Sequence, residues 1–168
     1  MKNVVLNNNL NLTIPEGFTE ITAAEALEMN VGTGPAPMWN IMNSEDHTVV
    51  TASWFKGGWI MSHFYNAKDM AKTLLNKCKP NMKVESPYAC TYSDIKETSL
   101  DGNKAYAYTC SYRALTKDAE MVDMVRETVV VKAQDVFYVF QAVRRDTRNA
   151  MAEESILEVY DSVQFAAA

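Results

Sequence analysis

The segment Val136–Arg145 constrains the fold more than any other stretch of this chain. In an extended conformation Val136, Tyr138, Phe140 and Ala142 fall on one face, and Phe137, Val139 and Val143 on the other. A strand apolar on both faces must be covered on both. The sheet that holds it therefore needs helices or further chain on each side. Its neighbours precede it. Glu120–Ala133 joins it through Gln134–Asp135, a tight turn. Upstream, Tyr88–Thr98 and Lys104–Leu115 flank Leu100–Asp101–Gly102–Asn103, and Asp-Gly between alternating segments is the strongest short-range hairpin signal. From Pro87 to Arg145 the sequence thus predicts four long antiparallel strands.

The first of these hairpins carries an expectation about the cysteines. A two-residue turn at Asp101–Gly102 sets Leu100 across from Asn103, so that Cys90 faces Arg113 and Cys110 faces Ser93. Side chains alternate along a strand, so the two thiols point to opposite faces and no disulfide joins them. In the same register Tyr88, Tyr92 and Arg113 share one face, and Tyr106, Tyr108 and Tyr112 the other. All three cysteines are expected to be thiols. With no apolar signal segment at the N-terminus, that points to a cytoplasmic protein.

The rest of the chain arranges itself about this ribbon. Asn3–Ile14 reads as one strand, closed by a turn at Pro15–Glu16–Gly17. Thr22-Ala-Ala-Glu25 is a capping box that opens a short helix to about Met29. Val31–Pro37 is loop; its Gly32-Thr-Gly34-Pro lacks the following Lys-Ser/Thr of a phosphate loop. Met38–Asn43 and Thr48–Phe55 pair as strands. After a turn at Phe55-Lys-Gly-Gly-Trp59, Ile60–Tyr65 reads as a strand or extended connector. Ala67, Met70, Ala71, Leu74, Leu75 and Cys78 form the apolar stripe of a helix, with Asn66 as its cap and lysines on its outer face. A last helix runs from Asp146–Thr147 to about Val163, burying Ala152, Ile156, Val159, Tyr160 and Val163, with Phe165 tucked back as an anchor. The order predicts the α+β class: an antiparallel sheet sandwiched between an internal helix and a C-terminal helix (α/β/α). The 168 residues are expected to form one domain with its core at about 10–165.

The formal net charge of −5 argues against nucleic acid as a partner, and no apolar run is long enough for a membrane span. Chemical motifs are sparse. The histidines are His47 and His63, no His-x-x-x-His or Cys-x-x-Cys occurs, and neither a metal nor another cofactor is expected. There is no Gly-x-Ser-x-Gly elbow. Arg144, Arg145 and Arg148 make a cationic knot with Asp146 among them, which reads as local ion pairing. Aromatic density remains: Tyr88 and Tyr92 with Arg113 on the hairpin, and Phe55, Trp59 and His63 about the glycine pair, are the candidate binding residues.

Three stretches stand out: Leu12-Thr-Ile-Pro-Glu-Gly-Phe18, the Asp101-Gly-Asn-Lys-Ala-Tyr-Ala-Tyr108 hairpin, and Ile156-Leu-Glu-Val-Tyr-Asp-Ser-Val-Gln-Phe165. Together with the order of elements, they resemble the PsbP-like superfamily, shared by the extrinsic PsbP protein of photosystem II and the Ran-binding Mog proteins. The likeness runs from about Leu10 to Phe165. It implies a non-enzymatic binding or assembly role, since members of the superfamily are generally not enzymes. Bacterial relatives include small lipoproteins and cytoplasmic chaperones associated with type VI secretion effectors; from the N-terminal residues, neither a lipidation cysteine nor a transit segment is expected here, and no partner-binding residue of the family carries over. The leading expectation is a chaperone-like cytoplasmic module that binds a protein partner through a sheet face or its aromatic rim. The alternative is a small-molecule binder or hydrolase with a pocket between sheet and helix near Trp59, His63 and Tyr65.

Overall fold

A computed structural model describes residues 1–28, 38–78, 90–116, 118–146 and 150–166. The chain opens with a hairpin, β1 (Lys2–Leu6) and β2 (Leu10–Ile14), followed by β3 (Phe18–Ile21), α1 (Ala23–Glu28), β4 (Met38–Asn43) and β5 (Val49–Lys56). Two helices come next, α2 (Trp59–Phe64) and α3 (Ala67–Cys78). The strands β6 (Thr91–Tyr92), β7 (Lys96–Leu100), β8 (Asn103–Leu115), β9 (Met121–Ala133) and β10 (Val136–Arg145) lead to α4 (Ala150–Asp161) and β11 (Gln164–Phe165). The main sheet is antiparallel, in the order β3-β4-β5-β10-β9-β8-β6, with β7 also on β8.

The doubly apolar segment lies at the centre, as β10. Tyr138, Phe140 and Ala142 pack toward Ile156, Val159 and Tyr160 of α4, while Phe137 and Val139 pack toward Ala67, Met70 and Ala71 of α3. The two helices thus cover opposite faces. Tyr138, Phe137 and Phe140 have no appreciable exposure, and each contributes about 1.5–3 kcal/mol by leaving water. Both helices keep their charged faces outward, Lys68, Lys72 and Lys77 on α3 and Glu153, Glu154, Glu158 and Asp161 on α4. A reciprocal cap starts α3: the Asp69 amide donates to Asn66 Oδ1 at 2.9 Å and the Asn66 amide to Asp69 Oδ2 at 3.1 Å. The Thr22–Glu25 box is formed in the same way at α1.

Four expectations need correction. Asn3–Ile14 is a hairpin, because Asn7 and Asn8 take left-handed conformations (φ 52° and 54°) that asparagine tolerates. With β11 it forms a second, three-stranded sheet on the α4 side, so the strands are divided between two antiparallel sheets rather than gathered in one. Ile60–Tyr65 is mostly helix rather than strand. Last, the arm expected at Tyr88–Thr98 is broken. Leu100 faces Asn103 as expected, but Tyr92 faces Cys110, one residue out of that register. Ser93 causes the slip. Its amide donates to the Thr109 carbonyl and its Oγ accepts from the Thr109 amide, both at 2.9 Å, so a side chain replaces a ladder carbonyl and an extra residue bulges before Lys96. Tyr88, the Val31–Pro37 loop, Pro80 and Arg148 lie outside the described residues.

Candidate functional site

Exposed large apolar side chains concentrate on α2. Gly57 and Gly58 end β5, and Gly58 serves as N-cap in an extended conformation. A Cβ on Gly57 would lie 2.5 Å from Met61 Cβ, so the chain reverses tightly only because glycine stands there. Met61 turns inward onto the cluster under α3, together with Phe55, whose ring stacks on Phe137 at 5.4 Å. Ser62 Oγ donates to the Gly57 carbonyl at 3.1 Å. The opposite side faces water. Trp59, Ile60, Phe64 and Tyr65 are 69%, 65%, 69% and 40% exposed. Their combined apolar area is on the order of 500 Å², the size of the largest patch on a typical monomer and often a functional one.

This surface is ordered from beneath. Lys132 of β9 donates through Nζ to the carbonyls of Ser62 (2.6 Å) and Tyr65 (2.9 Å) and stands 5.3 Å from the Phe137 ring centroid. A cation at the last carbonyls of a helix satisfies groups that have no intrahelical partner. The rings also hold each other: Trp59 lies 5.0 Å from His63 and 6.0 Å, edge-on, from Phe64. The Nδ1 of His63 donates to the Trp59 carbonyl at 2.9 Å.

The candidate residues do not converge on one place. Trp59 and His63 share α2, and Phe55 lies half-buried against the cluster under the neighbouring α3. Tyr92 and Arg113 were expected on one face, but the slip at Ser93 separates them. Arg113 pairs with Asp123 at 3.3 Å, and Tyr92 lies on the opposite face beside Cys110. The same slip brings Cys90 to the side of Cys110, against the expectation of opposed thiols. Burial pushes the Cys110 thiol up to about 11, so it is protonated at neutral pH and a poor nucleophile. Arg126 stands 5.3 Å over the Tyr112 ring in the same cluster. Among the described residues, no three His, Cys, Asp or Glu side chains converge as a metal site would require.

One arrangement escaped the sequence reading. Glu127 sits between Val125 and Val129 on the inward face of β9, beneath α4. The signal was present as a charged residue in register with valines. Burial raises its carboxyl above the usual range, against the pull of Arg144 and Tyr160 and with a push from Glu153. Arg144 is only 18% exposed and pairs with Glu153 at 2.9 Å rather than with Asp146. The Tyr160 hydroxyl adjoins Glu127, yet is buried without a hydrogen bond of acceptable geometry.

No family model matches the sequence, and no curated protein matches it. Solved structures do. The chain is similar to LpqN of Mycobacterium tuberculosis, involved in cell envelope biogenesis (17% identity, TM-score 0.55, 94% of this chain and 83% of that one). It is similar to cyanobacterial PsbP from Synechocystis (12%, TM-score 0.61, 98% and 92%). It is also similar to the Ran-binding protein Mog1p of Saccharomyces cerevisiae (11%, TM-score 0.55, 97% and 94%). At these identities the likeness concerns the fold.

Proposed function

We propose that this chain, whose fold is that of the PsbP-like superfamily, is a non-enzymatic protein-binding module that docks an apolar or helical partner segment on α2. The observation that carries the reading is an aromatic helix anchored through its backbone while Trp59, Ile60 and Phe64 stay in water. Holding such side chains exposed costs solvation free energy, and a pre-ordered aromatic patch is what interface anchors require. A structural neighbour named for Ran binding is consistent with it. The described helices include none long and apolar enough to cross a membrane. We read the setting as cytoplasmic on the sequence expectation of reduced cysteines.

The test is affinity purification from native lysate with wild-type bait and with a Trp59→Ala/Phe64→Ala bait, each checked for unchanged fold by circular dichroism. A partner recovered by the wild type and lost by the variant supports the reading. Identical recoveries, or none, contradict it. The small-molecule alternative near Trp59, His63 and Tyr65 finds less support, because all three side chains are exposed, whereas a ligand pocket encloses its occupant.

A further inference from the structure

Between α4 and the sheet opens a cavity of about 240 Å³ that the docking surface on α2 does not use. Its polar wall is Glu127, Thr109, Arg144 and Glu153; its apolar wall includes Val125, Ala142 and Ile156. Thr109 and Ala142 are the cross-strand neighbours of Glu127 on either side, so the carboxylate stands at the centre of a row. The charges do not balance. Arg144 is engaged by Glu153, which leaves one negative charge on Glu127 in a half-buried setting. A second observation points the same way. The Tyr160 hydroxyl, buried beside Glu127 and interacting with it, makes no hydrogen bond of good geometry, although a poorly satisfied buried hydroxyl is costly.

We propose that this cavity binds a small alkylammonium group, with Glu127 as its counter-ion and Thr109 as a further acceptor for its N–H groups. The methylene stem lies along Val125, Ala142 and Ile156. One cation makes the site neutral, two carboxylates against a guanidinium and an ammonium. It also favours the ionised form of Glu127, the stronger acceptor for the Tyr160 hydroxyl. Arg144 attracts Glu127 but its ion pair is with Glu153, so a single guanidinium is shared between two carboxylates. The same chemistry is offered by a free amine and by the lysine side chain of another protein.

The test is titration of n-butylammonium chloride into the isotopically labelled full chain, followed by NMR. Saturable shifts confined to Thr109, Glu127 and α4 are expected, with a Kd on the order of 1 mM, as suits a ligand of so few heavy atoms. Neutral n-butanol and tetramethylammonium, which has no N–H, should bind at least about tenfold more weakly, and Glu127→Gln should weaken n-butylammonium as much. Tyr160→Phe, which keeps the ring, guards against a folding artefact and should weaken binding about threefold. An acetylated and amidated Gly-Lys-Gly peptide distinguishes the sources: tighter binding than n-butylammonium assigns the site to a protein lysine, and weaker binding to a free amine. Absence of saturable shifts with either probe, or undiminished binding by both variants, would overturn the proposal.

Discussion

Lys132 on β9 donates from Nζ to the main-chain carbonyl of Ser62, 2.6 Å away and 70 residues earlier in the chain. Together with its bond to Tyr65, this contact fixes the end of α2 without burying the helix. Lys132→Met keeps much of the stem but removes both bonds. It should cost about 1–2 kcal/mol in denaturant unfolding, and it should make the α2 peptide bonds selectively susceptible to limited proteolysis. A variant as resistant as the wild type would show that α2 is held by other means.

Gly57 gives an independent handle on the same helix. In Gly57→Ala the new methyl meets Met61 Cβ, and backbone rather than a flexible side-chain end must yield. The expected result is displacement of α2, seen as NMR shift changes at Trp59, His63 and Phe64, with a stability loss of about 1–3 kcal/mol. Gly58→Ala, where the added methyl meets no atom within 4 Å, should be milder on both counts.

Much of this architecture was legible beforehand, for a physical reason. The stripes of α3 and α4 and the double-faced apolarity of β10 are periodic signals, and periodicity survives whatever the partner element is. The bulge at Ser93 has no such signature, since a serine hydroxyl replacing a ladder carbonyl looks like any other serine. That single slip moved Tyr92 across the sheet and undid the candidate grouping with Arg113. The α2 helix has no apolar stripe in its sequence: Met61 alone turns inward, and Lys132 holds the helix through its backbone carbonyls. Asn7-Asn8-Asn9 was a turn signal passed over, and Glu127 among valines was the overlooked mark of the second site.

The raised carboxyl of Glu127 makes stability depend on pH in a defined direction. With its folded value above its unfolded one, the native state binds the proton more tightly. Its contribution is fully present below the unfolded carboxylate range of about 4.3 and is lost as pH rises through the raised folded value. Glu127→Gln should flatten this part of the profile and stabilise the chain at neutral pH, by on the order of 1 kcal/mol. Thermal unfolding of both proteins across the acidic range checks it. A variant that is less stable at neutral pH would mean that Glu127 is fully compensated in the native state.

Ala119 holds a left-handed conformation (φ 58°) in the exposed turn where the Thr116 amide reaches the Glu120 carbonyl at 2.8 Å. Left-handed backbone costs an alanine roughly 1–2 kcal/mol, partly offset in glycine by its larger unfolded-state entropy. Ala119→Gly is therefore expected to stabilise the protein by up to about 1 kcal/mol, read from the shift of its urea midpoint. A destabilised variant would contradict that conformation.

The docking role of α2 is tested most directly by site-specific photo-crosslinking in native lysate. A benzophenone side chain replaces Ile60 on α2 in one protein, and Val5 or Leu115, also exposed and apolar, in two controls. The account predicts a discrete crosslinked partner from position 60 that is absent from positions 5 and 115 and is lost when Trp59 and Phe64 are also changed to alanine. Equal crosslinking from all three positions, or none from position 60, would contradict it.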